Sequence, residues 1–247
     1  MIISLVTVFC SFSYGDLTFT DITDTAGVGG PGGDAAGGHG AMWADVTEDG
    51  LPDIYMPFNW KDMEYPDYFF RNVSDDTWPE EAEVRGIEDK DGGSHGACWA
   101  DLDNDGDFDL VNASTQPFGD NKRQNDVYRN DGSGYFTEVT PVDIDDTKQS
   151  TRGVCTFDMD RDGDLDIFCV NGFRGSGDPG WERNEVYENK GNFEFAAHTS
   201  GALYTCPAGQ GCTDTDWDGD GDVDIIACNR DGDLNMLRNN GGVNNFT

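Results

Sequence analysis

Basic side chains are scarce in this sequence. Lysine and arginine together number 15 against 49 aspartates and glutamates, a formal charge of −34 at pH 7. A surface that negative repels polyphosphates and anionic headgroups, which argues against nucleic acid and membrane surfaces as partners. Histidine is rarer still, with 3 copies, so general bases are few and no closely spaced Cys/His set of the kind zinc needs is formed. After Phe12 no apolar run is long enough to span a bilayer. Aromatic residues and glycine, by contrast, are not lacking. Disordered acidic chains are poor in aromatics, whereas here aromatics make up 12% of residues and glycine 33 of 247 positions. That composition suits short strands joined by tight turns, and an all-β unit of this length is commonly one domain.

The first fifteen residues, MIISLVTVFCSFSYG, carry an apolar run from Ile2 to Phe12 followed by the small residues Ser13 and Gly15. This resembles a secretory leader cleaved after Gly15, although it lacks a basic start; the competing reading is a buried first strand. Removal of residues 1–15 would take Cys10 with it and leave six cysteines.

One acidic pattern recurs through the rest. DVTEDGLPD begins at Asp45, DLDNDGDFD at Asp101, DMDRDGDLD at Asp158 and DWDGDGDVD at Asp216, so successive copies start 56, 57 and 58 residues apart. A fixed period of this size marks a repeat architecture with one supersecondary unit per repeat. The flanks repeat too. Gly40, Gly96, Gly153 and Gly211 each lie five residues before the first aspartate, and short apolar runs begin at Ile54, Leu110, Ile167 and Ile225. A third element ends at Asn72, Asn130, Asn189 and Asn239, and a fourth follows in YFTEV (135–139) and NFEF (192–195), with FTDIT (19–23) as its counterpart at the start. Such runs between turn residues read as strands. Strand, acidic loop and three more strands make a four-stranded antiparallel blade, and blades repeated radially make a β-propeller. The expected units are about 24–80, 81–139, 140–197 and 198–247.

Like charges about 4 Å apart repel by roughly 1 to 4 kcal/mol, so crowded aspartates imply a cation among them. Calcium takes 6 to 8 oxygens at about 2.3 to 2.6 Å. The pattern D-x-D-x-D-G-x-x-D offers side chains at positions 1, 3, 5 and 9 and a backbone carbonyl at position 7, with glycine at position 6 for the sharp turn. The expected side-chain ligands are Asp101, Asp103, Asp105 and Asp109; Asp158, Asp160, Asp162 and Asp166; and Asp216, Asp218, Asp220 and Asp224. Carbonyls of Asp107, Asp164 and Asp222 complete these sets. The first loop has Asp45, Thr47, Asp49 and Asp53 with the carbonyl of Leu51, and its neutral hydroxyl should make it the weakest of up to four Ca2+ sites. An EF-hand would need glutamate at position 12, where this chain has Met56, Asn112, Cys169 and Ala227.

With their flanks, these loops resemble the FG-GAP or VCBS repeats of integrin-α-type β-propellers. Segments such as NDVYRNDGSGYFTEVT (125–140) are similar to those of bacterial VCBS proteins and cartilage acidic proteins, which often end in an ASPIC/UnbV domain. The resemblance covers residues 17–247 and implies a propeller with calcium between the first two strands of each blade. The chain departs from the family in showing four repeats where seven are common, and no ASPIC/UnbV domain follows. A small propeller closed by residues 19–23, or a fragment, accounts for this.

Cys155 and Cys169 flank the third loop by three residues each, and Cys212 and Cys228 the fourth by four, so cross-strand disulfides 155–169 and 212–228 are expected, with 206–212 as a local competitor. His39, His95, Arg152 and Gln210 share one repeat slot, which reads as polar packing, and Trp43 and Trp99 share another, which reads as blade-to-blade packing. Asn72, Asn112 and Asn245 begin glycosylation sequons.

Two functions compete, beside a third reading in which the chain is a fragment without independent activity. A secreted, calcium-stabilised propeller would act as a non-enzymatic adhesion or interaction module for a protein or carbohydrate ligand. A polysaccharide lyase or sugar dehydratase on the same scaffold would need a converging base and electrophile. The irregular inserts 59–67, 115–124 and 172–184 would form the ligand-facing surface, with Trp60, Arg123, Arg174 and Trp181 as contacts.

Overall fold

The computed structural model describes residues 19–29, 39–58, 66–74, 76–89, 93–115, 124–145, 150–172, 183–206, 209–229, 234–242 and 245–247. Its strands form four antiparallel meanders in chain order. Sheet 1 holds β1 (Met42–Ala44), β2 (Asp53–Met56) and β3 (Tyr68–Phe70). Sheet 2 holds β4 (Ser94–Ala100), β5 (Asp109–Ser114), β6 (Asp126–Asn130) and β7 (Phe136–Glu138). Sheet 3 holds β8 (Thr151–Phe157), β9 (Asp166–Asn171), β10 (Glu185–Asn189) and β11 (Phe195–Ala197). Sheet 4 holds β12 (Gly209–Thr215), β13 (Asp224–Asn229) and β14 (Leu234–Leu237). In sheets 1 and 4 the fourth strand shrinks to single bridges, Phe70 with Glu80 and Asn239 with Phe246. Pro79 precedes the first of these, and a proline cannot extend a ladder as donor.

The second strand of each sheet explains the stacking. All six residues of β5 and of β9 are buried, so both faces of each strand are covered and neither reads as an alternating pattern. In β9, Ile167 and Cys169 enter the core shared with sheet 2, while Phe168 and Val170 enter the core shared with sheet 4. Removing a fully buried side chain such as Phe168 costs about 3–5 kcal/mol. Three core clusters lie between chain-consecutive sheets, a fourth covers the outer face of sheet 1 around Ile54, Phe58 and Tyr68, and among the described residues none joins sheet 4 to sheet 1.

The repeated glycine has a steric cause. A Cβ on Gly153 would sit 2.7 Å from the Cα of Gly211, and one on Gly96 would sit 2.9 Å from the carbonyl oxygen of Arg152. The first strands of sheets 2, 3 and 4 therefore meet backbone to backbone. One residue before each of these glycines the ladder register shifts, between Ser94 and Gly96, Thr151 and Gly153, and Gly209 and Gly211. The bulges place His95, Arg152 and Gln210 at the shared polar slot, since a bulge re-aims its extra residue. His39 stacks on His95 at 4.2 Å, His95 Nδ1 lies 3.0 Å from the Arg152 carbonyl, and Arg152 donates to Gln210 Oε1 at 2.9 Å. Burial, then the neighbouring His39, pushes the His95 pKa down to about 4. The slot is a polar chain running across the sheets.

Several sequence expectations need correction. Residues 19–23 do not complete the last sheet: they lead into the one-turn helix α1 (Thr23–Ala26) against Trp43, Ile54 and Trp78. Phe246 takes that edge of sheet 4 and meets Phe157 at 6.3 Å. Equivalent turns of helix precede the other sheets: α2 (Ala82–Arg85), α3 (Val142–Asp145) and α4 (Gly201–Thr205). Trp99 packs against Tyr55 and Phe136 between sheets 1 and 2, but Trp43 faces outward at 60% exposure.

The expected disulfides fail on register. Phe157 pairs with Asp166, so Cys155 lies opposite Phe168 and Cys169 opposite Val154. In sheet 4, Cys212 lies opposite Ala227 and Cys228 opposite Gly211. A one-residue slip turns side chains to opposite faces, and all six described cysteines are free. Residues 1–15, and Trp60, Arg123, Arg174 and Trp181 of the inserts, lie outside the described residues. Asn112 is fully buried and donates to Asp67 and Ser94 at 2.9 and 2.8 Å, which removes it as a glycosylation acceptor. No described helix is long and apolar enough to cross a membrane.

Candidate metal centre

Each acidic loop is a hairpin turn wound around its own carboxylates. The ninth-position aspartates Asp53, Asp109, Asp166 and Asp224 are fully buried. Each accepts two backbone N–H groups, one from loop position 2 and one from the asparagine at or just past the end of the third strand. Asp109 takes Leu102 and Asn130 at 2.9 Å each, and Asp166 takes Met159 at 2.7 Å and Asn189 at 2.8 Å. Asp53 is held likewise by Val46 and Asn72, and Asp224 by Trp217 and Asn239. The first-position aspartates gather the far end of the turn. Asp45 and Asp101 accept N–H groups from positions 5 and 6, Asp158 adds position 4, and Asp216 takes positions 4 and 6. Glycine at position 6 has the expected positive φ, from 87° at Gly50 to 100° at Gly106. Position 4 is left-handed as well, at Glu48, Asn104, Arg161 and Gly219. The Asn and Gly found there were the available signal.

Three loops bring positions 1, 3 and 9 together. Ligand oxygens of Asp101, Asp103 and Asp109 lie within 4.8 Å of one another, as do those of Asp158, Asp160 and Asp166 and of Asp216, Asp218 and Asp224. Two oxygens on opposite sides of an ion bound at about 2.4 Å would be about 4.8 Å apart, so each triad fits around one calcium-sized cation. Asp103 Oδ1 is buried and has no hydrogen-bond partner, a lone pair that a cation would satisfy. The first loop forms no such triad among the described residues. Its Thr47 hydroxyl donates to Asp53 at 3.3 Å instead.

Position 5 stands apart. Asp49, Asp105, Asp162 and Asp220 each accept the N–H of position 7, that is of Leu51, Asp107, Asp164 and Asp222. These bonds fix the peptide at the expected carbonyl ligand. Arginines in or one residue past the third strands also reach in: Arg71 to Asp49 at 3.0 Å, Arg129 to Asp103 and Asp105 at 2.8 and 3.1 Å, and Arg238 to Asp218 and Asp220 at 2.7 and 3.2 Å. The electrostatics diverge accordingly. Burial drives the Asp109 and Asp166 carboxyls up to about 7 against their backbone hydrogen bonds, and raises Asp53. Burial also raises Asp103 and Asp160, helped by the neighbouring Asp105 and Asp162. At Asp105 burial is outweighed by the Asp107 N–H and Arg129, and the carboxyl is held low.

Two connections between loops had no sequence signal. The asparagine closing each third strand donates to its own loop and to the preceding one: Asn130 to Val46, Asn189 to Leu102 and Asn239 to Met159, at 3.0, 2.8 and 3.1 Å. Position 4 of one loop also meets position 7 of the next. Asn104 donates to Asp164 at 2.7 Å, and Arg161 pairs with Asp222. Glu48 meets Asp107, acid against acid, and burial, followed by this contact, raises Asp107.

Residues 114–169 match the FG-GAP-like repeat family. That segment runs from the end of β5 through the third acidic loop to β9. No curated protein sequence matches the chain. Among solved structures, the V. cholerae biofilm matrix protein Bap1 aligns over 82% of this chain at 18% identity and a TM-score of 0.39. The chain spans 29% of the length of that protein.

Proposed function

We propose that this chain is a secreted, calcium-stabilised β-propeller module that binds a protein or carbohydrate ligand and is not an enzyme. The observation carrying this reading is the triple recurrence of a carboxylate triad sized for one divalent cation. The ligands would be the side chains at positions 1, 3, 5 and 9 and the carbonyl at position 7, giving three stronger sites and a weaker first one. Oxygen-only donors favour calcium over softer metals. The sheet order, the glycine contacts between first strands and the FG-GAP-like segment support the propeller geometry. Calcium is structural in this reading, since each ion would bridge both strands of a hairpin. Dissociation constants of about 0.1 to 1 mM are typical of extracellular modules, and a leader at residues 1–15 would deliver the chain to that environment.

Calorimetric calcium titration with thermal melting in excess calcium and in chelator tests this. A site filled at ten times its dissociation constant adds about 1.4 kcal/mol, so three sites add about 4 kcal/mol and raise the melting temperature by roughly 10 °C. Uptake of three or four ions with such a rise is expected. No uptake, or the same melt in chelator, overturns the calcium assignment.

A further inference from the structure

Consecutive sheets meet through one recurring pair of positions on their first strands. Between sheets 1 and 2 the pair is Met42 and Ala97, both against the core around Tyr55. Between sheets 2 and 3 it is Cys98 and Val154, in the core around Tyr187. Between sheets 3 and 4 it is Cys155 and Cys212, in the core around Phe168. In each pair the first member lies three residues before its loop and the second lies four before the next loop. The backbones touch beside the last pair, where a Cβ on Gly153 would stand 3.4 Å from the Cys212 nitrogen as well as 2.7 Å from Gly211 Cα. The Cys212 thiol, followed by burial, holds Cys155 well above the ordinary thiol range. Of the other described thiols, Cys98 packs against the core between sheets 2 and 3 and is itself pushed up first by burial and then by Cys212, and the remaining three are turned elsewhere. Cys206 accepts from Asn184 at 2.8 Å and donates to the Leu203 carbonyl, Cys228 is exposed on the opposite face of sheet 4, and Cys169 lies in the core on the far side of sheet 3.

We propose that Cys155 and Cys212 are a redox-modifiable pair that closes to a disulfide between sheets 3 and 4 when a small-molecule disulfide is the oxidant. Cys212 is half-buried and reacts first. Its thiolate attacks one sulfur of the small disulfide, forming a mixed disulfide and expelling one thiolate. The Cys155 sulfur then displaces the second small thiol from Cys212 and gives up its proton. Two protein thiols are oxidised and one small disulfide is reduced to two thiols. The raised Cys155 pKa makes the second step slow, because the thiolate is the attacking species. The product cross-links positions far apart in sequence and so restricts the unfolded chain strongly. This inference goes beyond the calcium reading and does not depend on it.

The test uses the full chain, purified reduced, incubated with oxidised glutathione, alkylated, and mapped by non-reducing mass spectrometry. The expected result is a linked peptide pair holding Cys155 and Cys212, with a melting temperature roughly 5–10 °C above that of the reduced protein. Cys155→Ser and Cys212→Ser should each abolish the link, whereas Cys206→Ser and Cys228→Ser should leave it. Cys212 joined to Cys206 or Cys98, or glutathione on Cys228 with Cys155 and Cys212 both alkylated, overturns the proposal. The wild-type map decides even if a serine variant fails to fold.

Discussion

Arg129 and Glu188 occupy one place in consecutive repeats, just before the asparagine that closes the third strand, and they treat their loops in opposite ways. Arg129 bridges Asp103 and Asp105, and Arg238 does the same in the fourth loop. A tethered cation thus stands against carboxylates that calcium would claim. In the third loop Glu188 meets Asp160, and the contact raises the aspartate after burial and Asp162. Burial pushes Glu188 itself up, but Lys190 and His198 outweigh it and hold that carboxyl low. The same backbone frame therefore presents either an internal counter-ion or an extra carboxylate. On the proposed calcium reading, the ion would have to displace an arginine from the second and fourth loops, whereas in the third it would gain charge. We expect the third loop to bind calcium most tightly and the first, with Thr47 and Arg71, least.

Breaking the third loop outright should have the largest effect. Asp166→Ala removes a proposed ligand and leaves the buried N–H groups of Met159 and Asn189 unpaired, at about 1–3 kcal/mol for each buried group left unsatisfied. Denaturant unfolding should show a clear loss of stability even in chelator, and calorimetry one ion fewer. Exchanging the gatekeepers tests the comparison directly: Arg129→Glu should tighten the second site about tenfold and Glu188→Arg weaken the third about as much. Site-resolved titration checks this, and shifts of the same sign in both variants would sink it. Thr47→Asp should tighten the first site by a few-fold, read as a change in the weakest calorimetric phase.

The smallest effect separates loop charge from burial elsewhere. Asp67, Asn125 and Asn184 are equivalent, each capping a backbone N–H of the returning second-strand segment: Phe58 at 2.7 Å, Ser114 at 3.0 Å and Asn171 at 3.1 Å. Burial, opposed in part by the Tyr55 hydroxyl, pushes the Asp67 carboxyl up to about 7. A folded-state value above the unfolded one means the contribution is complete below about pH 4 and is lost as pH rises through 7. Between pH 5.5 and 8 the native protein should therefore lose a few degrees of melting temperature more than Asp67→Asn. Equal losses would show that Asp67 stays ionised in the folded state.

The repeat period, the acidic turns, the second and third strands and their terminal asparagines were legible because each rests on local chemistry repeated in sequence. The helical turns were not, since each holds four or five residues and buries little more than one anchor such as Ala82, Ile144 or Leu203. The disulfides failed on a single residue of register. A nine-residue loop pairs the residue before its first aspartate with its last one, as Phe157 with Asp166, so symmetric spacing around the loop sends two cysteines to opposite faces. The reach of Asn130 to Val46 spans 84 residues, and no local pattern encodes it. Nor could spacing alone reveal Arg129 and Glu188 as opposites, because only the fold brings them to their loops.

The asparagine ties have a mechanical consequence. Among the described residues each grips the adjacent repeat and nothing farther, and every core that joins sheets joins neighbouring ones alone. Load applied along the chain would concentrate at one inter-sheet plane at a time, as in quasi-one-dimensional arrays. Pulled from its ends, the molecule should lengthen in discrete events, each freeing one repeat of about 57 residues and roughly 190 Å of contour.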